Sequence, residues 1–288
     1  MSAQLSSRHK RFTPRIGSKA ACSTSTKPKA VVTGIIPRIH GDIIDEILDH
    51  LATDPNFHRS LRTCALISKS WVQPCRRRLF HTVDFTSETL QRWFKTFPVP
   101  EESPADHVQD LRVWIGGHNW VPDKFFQCTM WFTNLQRVFL LGRGPQEGSP
   151  PSRKPSRWKL PQSVTALTVD TDAVTLLQTR NVMAQLPNLD DLSIMGRLAP
   201  VDEGAQLWIE TFLRGGFGGK LVLRAGHTSK DILNMLLEIP AGLRFTEVEI
   251  HCARECLPLV IRLVEACSKT LVRLSHMVTS YGNSRLST

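Results

Sequence analysis

A short apolar motif recurs at a nearly constant interval through most of this 288-residue chain. It consists of an apolar residue, two residues of any kind, and two apolar residues separated by one, although two of the seven copies lack one apolar position. The copies at 134–142 and 188–196 agree in register throughout. The second apolar position, here called the anchor, is occupied by Leu111, Val138, Leu167, Leu192, Leu221, Val248 and Leu274. Successive anchors are 25 to 29 residues apart, so each copy has room for one strand and one short helix.

Apolar stripes with helical spacing lie between the motifs. The clearest stripe is formed by Leu257, Val260, Ile261 and Val264. Another follows Thr228 and Asp231, which predict a capping box. Alternating strands and helices predict an α/β fold, with a parallel sheet on one side and helices packed behind it.

The interval falls within the roughly 20–29 residues of leucine-rich repeats, which this region resembles. No Asn or Cys recurs at the position where such repeats form their side-chain hydrogen-bond ladder. We therefore expect an irregular leucine-rich-repeat-like solenoid of parallel strands backed by helices over residues 83–288. Chance alternation in an ordinary α/β domain is the alternative.

Residues 42–80 carry the spacing of three short helices. In the first, apolar residues share one face, acids occupy the other, and Asp42 is placed to cap the N-terminus. We expect a second segment over Ser60–Trp71 and a third over Val72–Phe80, with the arginines at 76–78 facing outward. Three short helices bury little apolar surface by themselves, so such a unit normally docks on something else.

The same block resembles an F-box. The matching elements are Ile36-Pro37, the helix carrying Ile43-Ile44, Ile47-Leu48 and Leu51, the segment from Ser60-Leu61 to Ile67, and Ser68-Lys69-Ser70-Trp71. The resemblance implies a three-helix F-box over 35–82 that binds a Skp-type adaptor and, through it, a cullin complex. The residues it assigns to internal packing or to that interface are Ile36, Pro37, Ile43, Ile44, Ile47, Leu48, Leu51, Leu61, Leu66 and Trp71. The alternative is that all of them only form a small helical core.

Positive charge is concentrated outside the parts that we expect to fold. The chain has 36 basic and 26 acidic residues, a formal net charge of +10. Residues 1–40 hold eight basic and no acidic residues, and residues 142–159 hold five basic residues and one acidic residue, which leaves −2 for the remainder. Both segments lack apolar periodicity, so we expect a disordered basic leader over 1–34 and a flexible basic loop over 142–159.

No apolar run approaches the roughly 18 residues of a membrane-spanning helix, and no signal segment opens the chain. We therefore expect an intracellular protein, cytoplasmic or nuclear or both. The leader leaves open a nuclear import signal at Arg8–Arg11 and a mitochondrial transit peptide. Seven cysteines without a Cys-x-x-Cys pair predict reduced, mostly buried thiols.

Motifs for catalysis and cofactor binding are incomplete. Gly215–Lys220 is glycine-rich, but Arg214 stands at the first glycine position of a phosphate-binding loop and Leu221 replaces its Ser or Thr. A turn from helix to strand explains this segment better. His251–Cys256 offers three metal ligands without an evident fourth, which favours packing. We expect no cofactor, no metal and no catalytic residue.

These features predict a binding protein rather than an enzyme. The resemblance implies the substrate-recognition subunit of an SCF-type ubiquitin ligase, with the adaptor on the F-box and an unidentified protein target on the repeat region. Two alternatives remain: a repeat scaffold without ligase coupling, and a nucleic-acid binder working through its basic tails. The last predicts steeply salt-dependent binding that is lost on deleting residues 1–34. Neither nucleic acid nor a membrane is an expected partner.

Overall fold

The computed structural model describes residues 39–115, 125, 129–142, 159–196, 198, 217–239 and 242–278. The chain divides into two compact units, Met1–Ile39 and His40–Thr288, and every element given below lies in the second. The leader predicted over 1–34 lies outside the described residues, as does the predicted loop over 142–159 apart from its two end residues.

Eight strands form one parallel sheet in which the strand order follows the chain order. They are β1 (Thr82–Phe85), β2 (Asp110–Trp114), β3 (Arg137–Gly142), β4 (Ala166–Thr171), β5 (Asp191–Ile194), β6 (Phe217–Leu223), β7 (Leu243–Cys252) and β8 (Arg273–Val278). The predicted anchors occupy β2 to β8, and each lies directly beside the anchor of the next strand, from Leu111 beside Val138 to Val248 beside Leu274. The predicted α/β fold with a parallel sheet is confirmed.

Strand β1 is an eighth copy of the motif. Val83 pairs with Leu111 and therefore holds an anchor position. The sequence Phe80-x-x-Val83-x-Phe85 matches the apolar motif in full. This copy overlaps the block assigned to the three helices, which conceals it in the sequence. The sheet therefore has eight strands, one more than the seven that the sequence predicts.

Alternate residues of a strand share a face, so the anchor and the residue two positions later point to the same side of the sheet. From β2 to β7 both positions are buried. They form one apolar core with the helices on that side of the sheet. These helices are α4 (Ser87–Thr96), α5 (Leu176–Met183), α6 (Ser229–Leu237) and α7 (Leu257–Ala266).

The starts of these helices differ in their capping chemistry. Thr86 with Thr89 and Thr175 with Gln178 form capping boxes at α4 and α5. At α6 the predicted capping box is wrong, because no side chain caps this helix. The Thr228 hydroxyl instead donates to the Ala225 carbonyl oxygen at 2.9 Å, within a 3-10 turn that leads into the helix.

A second, smaller apolar core lies among three helices at the start of the described chain. They are α1 (Gly41–Leu51), α2 (Phe57–Cys64) and α3 (Lys69–Leu79). Two predictions are wrong in detail. Helix α1 has no side-chain cap, and Asp42 lies within its first turn. Trp71 belongs to α3, because residues 65–67 form a turn after the end of α2.

Side-chain hydrogen bonds form a ladder along the turns that precede the strands. Four positions before the anchor, the side chains of Asn134, Ser163, Asn188 and Thr270 donate to carbonyl oxygens of the preceding copy. The acceptors are Asp106, Leu135, Gln162 and Phe245, at 2.6 to 3.1 Å. An amide and a hydroxyl can both make this bond, so a ladder exists although no single residue type occupies all four positions.

Candidate functional site

The residues predicted for packing or adaptor binding divide into three groups. The buried group, in the core of the three-helix unit, is Ile44, Leu48, Leu61 and Trp71, against which half-buried Leu51 packs. The exposed group is Ile43, Ile47 and Leu66, at 50%, 38% and 85% exposure. Ile36 and Pro37 lie outside the described residues.

A fourth exposed aliphatic side chain, Ile67, follows Leu66 in the turn between α2 and α3 and is 61% exposed. Ile43 and Ile47 are four residues apart on α1 and therefore share one helical face. We call these four residues the aliphatic patch. Ile67 was absent from the predicted interface residues, although two adjacent apolar residues in a short turn are the signal that marks it. Each of the two pairs, one on α1 and one in the turn, is a candidate contact for a partner.

Arg78 joins α3 to α1, and the prediction that it faces outward is wrong. Its Nη1 donates to Asp45 Oδ1 at 2.8 Å, and its Nη2 donates to Asp49 Oδ1 at 2.5 Å and to the Asp45 carbonyl oxygen at 3.1 Å. Burial acts to lower the pKa of Arg78, but hydrogen bonds to Asp49 and Asp45 outweigh it and raise that pKa. The arginine therefore fixes the orientation of the helix that carries half of the aliphatic patch.

The second candidate surface is the face of the sheet opposite the described helices, here called the open face. One position after the anchors stand Asp84, Arg112, Phe139, Thr168, Ser193, Val222, Glu249 and Ser275. Three positions after the anchors of β2 to β8 stand Trp114, Leu141, Asp170, Met195, Arg224, His251 and Met277. Trp114 and Met195 are exposed, while Phe139 and Leu141 are half-buried, so aromatic and aliphatic side chains concentrate over β2 to β5.

Arginines on β2 and β3 are held by neighbours on the same face. Arg112 lies over the ring of Phe139, 5.7 Å from its centroid, and 3.9 Å from a carboxylate oxygen of Asp84. Arg137 donates to both carboxylate oxygens of Asp110, at 2.5 and 2.6 Å, and this hydrogen bonding raises the pKa of Arg137. These arginines are already partnered, so a ligand gains mainly from the apolar side chains beside them.

Charges further along the sheet are also coupled across strands. Arg224 donates to Glu249 through Nε at 2.9 Å, and this hydrogen bond lowers the pKa of Glu249. Asp191 pairs in register with Lys220, which pairs with Glu247. Burial raises the pKa of Asp191, the positive charge of Lys220 opposes this rise, and the negative charge of Glu247 adds to it.

The cysteines at the end of β7 are buried thiols. Burial, with Cys256 as a neighbour, raises the pKa of Cys252 to about 11, so this thiol is neutral at pH 7. His276 Nε2 lies 3.6 Å from Cys252 Sγ. Across the described residues, no group of three or more His, Cys, Asp or Glu side chains is arranged to hold a metal ion.

The glycine-rich segment has a backbone explanation. Gly219 has a φ of +72°, and a Cβ there would lie 1.9 Å from the Asp190 carbonyl oxygen. The pairing of β6 with β7 shifts register immediately after it. Glycine therefore permits a close approach to β5 and a bulge within strand β6. The predicted turn from helix to strand is wrong for residues 217–220, which are part of that strand.

Within the described ranges, no helix combines the length and the apolar character needed to cross a membrane. A comparison of the sequence with known protein families finds no family that matches, and a comparison with curated proteins finds no significantly similar sequence.

Proposed function

We propose that this chain is an F-box protein that acts as the substrate-recognition subunit of an SCF-type cullin-RING ubiquitin ligase. Helices α1 to α3 form the F-box and bind a Skp-type adaptor. Residues 83–288 form an irregular leucine-rich-repeat-like solenoid whose open face binds a protein target. The chain itself makes and breaks no bonds. It holds the target near a ubiquitin-charged enzyme and so raises the effective concentration of the target there.

One observation carries the proposal: the aliphatic patch lies on a three-helix unit whose own core is already filled. Ile44, Leu48 and Trp71 are buried without any contribution from the patch. Covering apolar surface with a partner is worth about 25 cal/mol per Å² removed from water. Four aliphatic side chains on one small unit therefore favour a protein partner of the kind that the resemblance implies.

The arrangement of the sheet supports the repeat part of the proposal. A doubly wound α/β domain reverses its strand order at a switch point. Here the strand order follows the chain order without a reversal, and anchors lie beside anchors across the sheet. Stacked copies that contact only their neighbours have these properties. The turn ladder between successive copies adds to the same support.

Adaptor binding by the full chain tests the proposal. Purified protein is titrated with a Skp-type adaptor by calorimetry, and Ile47→Asp and Leu66→Asp are compared with Val99→Asp. Val99 is the matched control for Ile47, because the two side chains are 41% and 38% exposed and Val99 lies outside the three-helix unit. We expect the first two variants to raise the Kd about 10-fold or more and the third to leave it unchanged.

Circular dichroism must show that the variants remain folded, and exposed positions make this the expected result. Leu48→Asp is unsuitable, because Leu48 is fully buried and a charge there would unfold the unit. A folded parent protein without adaptor affinity would favour the scaffold alternative. Tight binding by both patch variants would show that the adaptor uses another surface.

A further inference from the structure

The last strand of the sheet leaves apolar residues uncovered. Val272 is 85% exposed and Leu274 is 47% exposed, although Leu274 holds an anchor position that is buried in β2 to β7. Met277 and Val278 are exposed as well. Among the described residues, β8 pairs only with β7. This end of the sheet therefore combines a free strand edge with exposed apolar side chains.

The direction of the free backbone groups follows from the other strands. The Arg224 N–H donates to the Ile194 carbonyl, so residues three positions after the anchor bond to the preceding strand. The Ile115 N–H donates to the Leu141 carbonyl, so residues four positions after the anchor bond to the following strand. Backbone direction alternates along a strand. In β8 the groups that face the free edge therefore belong to Leu274, His276 and Val278.

Strand β8 lacks three of the features that protect sheet edges, namely a proline, a bulge and an inward-pointing charge. Residues 272–278 read Val-Arg-Leu-Ser-His-Met-Val, without proline, and the pairing of β8 with β7 is continuous. The arginine lies on the open face, not on the side of the helices. A further strand would satisfy the backbone groups at this edge.

The same seven residues are complementary to themselves in antiparallel orientation. With Ser275 opposite Ser275 of a second copy, the other opposing pairs are Val272 with Val278, Arg273 with Met277, and Leu274 with His276. Each pair lies on one face, as antiparallel pairing requires, and Leu274 and His276, whose backbone groups face the free edge, oppose each other. No like charges meet. Exposed valines of the two copies cover each other.

We propose that two copies of this chain associate through β8 in an antiparallel, two-fold symmetric arrangement, which joins their sheets into one. The exposed side of α7, the helix that leads into β8, carries charges that could pair across a two-fold axis. Arg262 and Glu265 are exposed there, three residues apart, and a second, antiparallel copy presents them in the opposite order. The association goes beyond the proposed ligase function and requires no adaptor.

Sedimentation equilibrium of the full chain, over about 1 µM to about 100 µM, tests the association. We expect the mass to rise from 32.4 kDa toward twice that value. A mass of one chain at every concentration would overturn the proposal. Leu274→Pro removes one outward N–H and leaves the hydrogen bonds to β7 intact, so this variant should remain monomeric. Persistent dimers of the folded variant would also overturn the proposal.

Charge variants of Met277 test the pairing itself. In the proposed register, Met277 lies opposite Arg273 of the second copy. Met277→Lys should therefore raise the dimer Kd about 10-fold, and Met277→Glu should lower it. Met195 is the matched control, because it is also an exposed methionine on the open face but directly follows the interior strand β5. Met195→Lys and Met195→Glu should leave the Kd unchanged. Equal effects of Lys and Glu at position 277 would contradict the proposed register.

Discussion

The first and last strands of the sheet carry the same motif in opposite surroundings. In β1, the buried ring of Phe85 lies 5.4 Å from the ring of Trp93 and 6.1 Å from that of Phe132, measured between centroids. In β8, Leu274 is exposed and His276 is half-buried. Helix α4 follows β1 and brings Trp93 over the sheet. No described element follows β8.

This difference shows that the motif specifies a strand but not its burial. Burial of an anchor needs neighbours on both sides, and stacked copies obtain them from each other. An end copy obtains them only from an additional element or a partner. The N-terminal end has aromatic side chains from α4, while the C-terminal end retains an open edge. Truncation of a large apolar side chain of the motif should therefore have very different costs at the two ends.

The largest contrast is expected for core truncations. Phe85→Ala should lower the free energy of unfolding by about 3–5 kcal/mol, because it leaves a cavity among aromatic rings. Leu274→Ala should cost less than about 1 kcal/mol, because Leu274 is already 47% exposed in the folded chain. Urea unfolding at low protein concentration, where association is minimal, measures both. Similar losses at the two positions would mean that the last strand is covered in solution.

The three-helix unit beside the covered end should depend on Arg78. Arg78→Ala leaves Asp45 and Asp49 without their shared partner and should cost about 1–2 kcal/mol. Arg77→Ala is the matched control, since Arg77 is exposed on the same helix, and should change stability by less than about 0.5 kcal/mol. Thermal unfolding followed by circular dichroism measures the difference. Indistinguishable variants would refute a stabilising role for the contact between α3 and α1.

The turn ladder should be equally strong at both ends, because its bonds join adjacent copies and need no outer cover. Asn134→Ala near the first strands and Thr270→Val before the last should each cost about 0.5–1.5 kcal/mol. Gln136→Ala is the control, because Gln136 hydrogen-bonds to the neighbouring copies through its main chain, which the substitution keeps. Chemical denaturation gives the three values. A loss at only one end would show that the ladder depends on strand burial.

The smallest effect is expected between the ends, at Asp191. Its pKa is raised in the folded chain, so folding favours the protonated form. The protonated form of Asp191 therefore contributes to the free energy of unfolding in full below the unfolded-state pKa of about 3.9. This contribution is lost as the pH rises through the pKa of the folded chain. Asp191→Asn should therefore raise the Tm slightly at pH 7 and have no effect near about pH 3. A lower Tm at pH 7 would show that the attraction to Lys220 outweighs burial.

Periodicity located the anchors well because a buried strand position has few alternatives. Val138, Leu167 and Leu192 had to be apolar to enter the core, and their constant interval follows from stacking. Val83 was missed because its copy begins inside a helical block. The turn ladder was missed because Asn134 and Ser163 perform one task with different chemistry.

The sequence does not distinguish the buried from the exposed members of the predicted binding residues. Helical spacing identified an apolar face on α1, but Ile43 and Ile44 are adjacent and look equivalent in the sequence. The structure buries Ile44 and exposes Ile43. Arg78 stood in a run of three arginines, and its carboxylate partners lie 29 and 33 residues away in the chain. A contact between such distant residues has no local signal.

The sequence by itself determined the parallel α/β sheet, the interval of its copies and the presence of three short helices before it. These features follow from local spacing, since apolar residues must recur with the geometry of the strand or helix that buries them. Only the tertiary structure decided which apolar residues remain exposed, that Arg78 holds α1, and that one end of the sheet is covered while the other is open. Those outcomes depend on which distant groups become neighbours, and chain spacing does not encode that proximity.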